Sequence, residues 1–94
     1  MAAPTYQYYN KNFKKEQLPL CYCNLDLLNE NISQIAKRAE GKNKTVRVAT
    51  KSVRNTYILQ HILQSNPIYQ GLMCYTGNEA LWLIEKGFDD LLLG

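Results

Sequence analysis

One lysine in this sequence is placed for chemistry. Lys51 closes the run Val46-Arg47-Val48-Ala49-Thr50-Lys51, with Ser52-Val53-Arg54 directly after it. An amine at the carboxyl end of a strand has three uses. It can lie exposed with its stem along apolar surface, bind an anion, or add to a carbonyl as a Schiff base. The third use needs an ammonium that sheds its proton readily, for which burial and a neighbouring cation, here Arg47, are the physical means. Other catalytic groupings are missing from the sequence. No glycine-rich phosphate fingerprint follows a strand, and no Ser/His/Asp set, Cys/His pair or inward pair of carboxylates can be assembled. The single histidine, His61, falls with Gln64 beside the apolar stripe of an expected helix and reads as a boundary residue. Cys21, Cys23 and Cys74 are odd in number and suit no disulfide framework. They read as small reduced core residues. Zinc would need a fourth ligand at sensible spacing, so no metal site is expected.

The elements that must position Lys51 follow from periodicity. Alternation places Val46, Val48 and Thr50 on one strand face, toward covering helices, and Arg47, Ala49 and Lys51 on the other. Residues 1–17 are polar, tyrosine-rich and without period, and read as an extended arm. Leu18 to Asn24 reads as a strand. From Asp26 a helix is expected, since Leu28, Ile32, Ile35, Ala36 and Ala39 recur at helical spacing, with Asn24 or Asp26 as cap and Gly41 as stop. A second helix is expected from about Val53 to Gln64, ended by Ser65-Asn66-Pro67. Residues 70 to 75 form a strand candidate, Thr76-Gly77-Asn78-Glu79 a capping box opening the helix Asn78 to Lys86, and Leu91 to Leu93 a last strand covered on both faces. Alternating strands and helices with short connections predict βαβ units and a parallel sheet, an α/β fold.

Composition narrows the function classes. Ninety-four residues, 46% hydrophobic and 20% charged, make one small domain of ordinary globular composition. No apolar run approaches the roughly 20 residues of a membrane span, and the amino terminus lacks the layout of a signal peptide, so a soluble cytoplasmic protein is expected. The net charge of +3 is mild. Lys11, Lys14 and Lys15 beside Tyr8, Tyr9 and Phe13 could be called a basic-aromatic patch, but no nucleic-acid motif accompanies them, and no nucleic-acid partner is expected.

Four segments in order carry a resemblance. They are Leu18-Pro19 with Asn24-Leu25-Asp26-Leu27-Leu28 and Asn31-Ile32; Arg47 to Arg54; Thr76 with Glu79-Ala80; and Gly87-Phe88-Asp89-Asp90-Leu91-Leu92-Leu93. Together they make the run Leu18 to Gly94 similar to the amino-terminal half of the alanine-racemase-like barrel domain of the D-threonine aldolase and D-serine dehydratase group. That group depends on pyridoxal phosphate (PLP). Val48-Ala49 stand where the family has Pro-His, Val53 where it has a second histidine, and Ser52 where it has threonine.

The resemblance implies a partial (β/α)8 barrel with about three barrel strands, in which Lys51 holds PLP as a Schiff base at the barrel mouth and an amino acid is the substrate. It also implies Arg47 within the barrel below Lys51 and Thr76 facing the site, although Thr76 reads at least as well as a helix cap. Tyr75 and Met73, on the next strand, either line the pocket or fill it. A full barrel takes roughly 250 residues. The chain is therefore expected to be the amino-terminal portion of a longer enzyme, inactive alone, whose open sheet edges favour a homo-oligomer. The alternative is a small non-catalytic α/β binding or assembly module.

Overall fold

The structure is a computed structural model that describes residues 3–94. It divides into two compact units, one running to Asn31 and the other from Ile32 to Gly94.

In the first unit, the segment expected to be an extended arm contains a helix, α1 (Tyr6–Phe13), capped by the Thr5 hydroxyl, which accepts from Tyr8 N. Its order comes from aromatic contacts one turn apart. Tyr9 and Phe13 lie parallel with centroids 6.2 Å apart, and Tyr22 packs against both at 4.8 and 4.7 Å. Leu18 to Asn24 is irregular and not the strand expected. Pro19 supplies no N–H, and no neighbouring strand pairs with the segment, so extended backbone there gains no ladder. Cys21 and Cys23 are consequently exposed, and only Cys74 is the core residue expected.

Helix α2 (Leu25–Ala39) begins where the sequence places it. The Asn24 carboxamide accepts from Leu27 N, and Gly41, at φ +72°, follows its end. Of its stripe, Ile32 and Ala36 are buried, whereas Ile35 is exposed.

The second unit is an α/β sheet of three parallel strands in the order β1 (Val46–Ala49), β2 (Tyr69–Cys74), β3 (Leu91–Leu93). Between them run α3 (Thr56–Ser65) and α4 (Gly77–Glu85). Helix α3 starts three residues later than its stripe suggests, because the Asn55 carboxamide is the cap, accepting from Ile58 N. Register places Val48, Leu72 and Leu91 in one row and Ala49, Met73 and Leu92 in the next. The first row, with Cys74, joins Leu59 and Leu63 of α3 and Ala80 and Leu83 of α4 in the core. Both crossover helices therefore pack on the same face of the sheet, and alternation turns the Ala49–Met73–Leu92 row away from it. Within this unit Tyr69 donates its hydroxyl to the carbonyl of Ile32, where the unit begins. Strand β3 is an edge strand. Leu92 and Leu93 are 51% and 58% exposed, which corrects the expectation of burial on both faces.

The register of β1 against β2 slips between Val46 and Val48, where β2 carries one surplus residue. The cause sits at Gly71, whose φ is +77°. Over it lies the Arg47 guanidinium, which crosses β2 to donate to the carbonyls of Leu72 (3.2 Å) and Asp90 (2.6 Å) and to the Asp90 carboxylate (2.8 Å). A Cβ at Gly71 would collide with Arg47 Nη1 and the Asp90 carbonyl. Asp90 itself is in the left-handed region at φ +54°, which aspartate tolerates better than most residues. One arginine thus ties together all three strands.

Candidate functional site

Strand β1 ends at Ala49, and the next three residues form a single 3₁₀ turn, Thr50–Ser52. Thr50 fixes that turn. It is 1% exposed and donates its hydroxyl to the Met73 carbonyl on β2, while Val53 N closes the turn on the Thr50 carbonyl. Lys51 is therefore carried two residues beyond the strand rather than on it. Its ammonium is 5.3 Å from the ring centroid of Tyr75, the residue directly after β2. A lysine in this position over an aromatic face gains about 0.5–1 kcal/mol where water has access. The carboxyl ends of two neighbouring parallel strands thus converge on an exposed amine beside an aromatic ring, at the end of the sheet where ligands collect in α/β folds.

The other two residues singled out from the sequence have different duties. Arg47 faces Asp90, which immediately precedes β3, so its guanidinium lies toward the leading end of that strand and not beside Lys51. The Lys51 side chain is exposed, and Arg47, the cation on its own strand, is engaged with the Asp90 carboxylate. Thr76 caps α4. Its hydroxyl accepts from Glu79 N at 3.0 Å, while Glu79 Oε1 accepts from Tyr75 N at 2.9 Å. This capping box fixes Tyr75 by its own backbone and so positions the ring beneath Lys51.

Two ionisable groups behind the site are perturbed. Burial holds the Cys74 thiol above its ordinary 9.0, with the Glu79 carboxylate adding in the same direction. Burial likewise raises the Tyr69 hydroxyl above 10.0. Both stay protonated near neutrality, so Cys74 is a packing residue and not a thiolate nucleophile.

Among the described residues no group of three or more His, Cys, Asp or Glu side chains is placed to hold a metal ion, and no helix is long and apolar enough to cross a membrane. What sequence reasoning missed is the Arg47–Gly71–Asp90 arrangement. A glycine inside a strand pattern was its one local signal.

No protein-family model, curated protein or solved structure matches this chain.

Proposed function

We propose that this chain is the lysine-bearing part of a PLP-dependent amino-acid enzyme of aldolase, racemase or dehydratase type, with Lys51 as the residue that holds the cofactor. The observation that carries the reading is the Lys51 ammonium standing by the Tyr75 ring at the carboxyl ends of β1 and β2. The fold supports it. An unreversed strand order with both crossover helices on one face is the winding of a (β/α)8 barrel, whereas a doubly wound sheet carries helices on both faces. On this reading Arg47, the Ala49–Met73–Leu92 row and Lys51 rise in successive layers on the interior face, with the amine at the mouth.

The residues present fit the cofactor at its aldehyde end, where Lys51 offers an amine and Tyr75 an aromatic wall. At the N-terminus of α4 the Thr76 hydroxyl takes one amide and the Glu79 carboxylate puts a negative charge in the first turn, so the phosphate falls to residues elsewhere. When bound, PLP supplies an electron sink for cleavage at the amino acid Cα. The contribution of this chain is to hold and orient. Thr50 fixes the turn bearing the amine, and the capping box fixes the ring beside it.

The test is to incubate the protein with PLP, record its visible absorption, reduce with borohydride and map the labelled peptide. Label on Lys51, lost in Lys51→Ala, is the expected result. Label elsewhere, or none, removes the proposal.

A second reading, a non-catalytic assembly module, is favoured by apolar residues that are more than half exposed on both faces of the last βα unit, Leu81 and Ile84 on α4 and Leu92 and Leu93 on β3. It predicts self-association and indifference to PLP.

A further inference from the structure

A cleft of about 270 Å³ opens beyond the carboxyl end of β1, between the beginnings of α3 and α4. It lies on the helix-covered side of the sheet, and Lys51 is not among its walls. Its floor is apolar, formed by Leu59 and Leu83, which are 2% and 1% exposed. The Trp82 indole forms one wall. Two opposite charges share the lining. Arg54 is exposed and makes no hydrogen bond or ion pair among the described residues. Glu79 spends one carboxylate oxygen on Tyr75 N, and its second oxygen has no partner among those residues.

Size and charge together select the ligand class. The volume lies below the roughly 300–1,000 Å³ of drug-sized pockets, a scale that suits a molecule of amino-acid size. A phosphate would meet the Glu79 carboxylate, and a hydrocarbon would strip water from two charges without replacing it. A zwitterion answers both. We infer that this cleft binds a free α-amino acid with an aliphatic side chain. Its carboxylate pairs with the Arg54 guanidinium, its ammonium with Glu79, and its side chain lies on Leu59 and Leu83 against Trp82. The inference does not depend on a cofactor at Lys51.

The experiment titrates the 94-residue protein, without PLP, with L-leucine by calorimetry or NMR. Glycine lacks the side chain, leucinamide the carboxylate and 4-methylpentanoate the ammonium, and each should bind about tenfold more weakly than leucine or not at all. Glu79→Gln keeps an acceptor for Tyr75 N, and Arg54→Gln changes an exposed side chain. Both should fold normally and lose about tenfold in leucine affinity. Three results would overturn the inference: no leucine binding, as when Arg54 and Glu79 simply close on each other; equal binding by wild type and both variants; or loss of binding in Lys51→Ala. That last variant also separates the two proposals, because it removes the borohydride-fixed label while leaving the cleft intact.

Discussion

Replacing Gly71 by alanine tests the three-strand arrangement directly. The residue sits at φ +77°, where a side chain costs about 1–3 kcal/mol in backbone strain. The added methyl would also meet Arg47 Nη1 and the Asp90 carbonyl, with Asp90 Cγ only 2.8 Å away. Of these neighbours the guanidinium can swing aside, but the carbonyl is backbone. Moving it breaks the bond from Leu72 N to the Asp90 carbonyl (3.0 Å), worth about 1 kcal/mol net. The Arg47–Asp90 pair is one-third to one-half exposed, so water screening limits its share to about 1 kcal/mol. Together these give a loss of roughly 3–5 kcal/mol, against the 5–14 kcal/mol or so expected of a domain this size. In urea the midpoint should fall by about 2 M, taking a slope near 2 kcal/mol per M. Gly41→Ala is the control. Gly41 has a similar φ of +72° but nothing within 4 Å of the added carbon, so it reports strain without collision and should lose about 2 kcal/mol less. Equal losses in the two variants would refute the close approach of Arg47 and Asp90 over Gly71.

Two further outcomes follow from the site. Thr76→Ala should lower stability by about 1 kcal/mol and Thr76→Ser should restore it, with PLP labelling of Lys51 unchanged in both. Loss of labelling at unchanged stability would make Thr76 a site residue instead of a cap. The alkaline limb of stability carries the second. Cys74 and Tyr69 are held protonated in the folded chain but ionise at their ordinary values of 9.0 and 10.0 once unfolded, so the unfolded state binds fewer protons above pH 9. Stability should be insensitive to these groups below that pH and decline as pH rises through and beyond it. Urea midpoints measured from neutrality upward should show the decline, reduced in Cys74→Ala. A flat profile in wild type would contradict the burial of both groups.

Where local chemistry decides structure, the sequence was readable. The helical spacing of Ile32 and Ala36, the caps at Asn24 and Thr76, and the β-branched run from Val46 each determine an element without reference to distant residues. Helix α1 was invisible because it has no buried stripe, and its support is a set of tyrosine and phenylalanine contacts that includes Tyr22 from the following segment. Leu18 to Asn24 reads as a strand, but a strand requires a partner, and none is present among the described residues. Of the candidate site, Lys51 and its neighbour Tyr75 were legible as residues at strand ends. The partnership of Arg47 was not legible, because the direction of its side chain is set by Asp90, a residue no pattern around position 47 could reveal.

The bonds from Arg47 to Asp90 join residues 43 positions apart and bind β1 to β3, two strands that are not neighbours. A three-residue edge strand would ordinarily fray by itself, exchanging its amide hydrogens long before the rest of the sheet. Here the carbonyl that receives Leu72 N is also gripped by an arginine rooted in the first strand. Opening β3 therefore also costs the bonds to Arg47, so the short last strand should fray less readily than its length alone suggests. The cost falls on assembly: this contact cannot form until nearly all the second unit has been threaded into place, which makes it a late and cooperative step in folding.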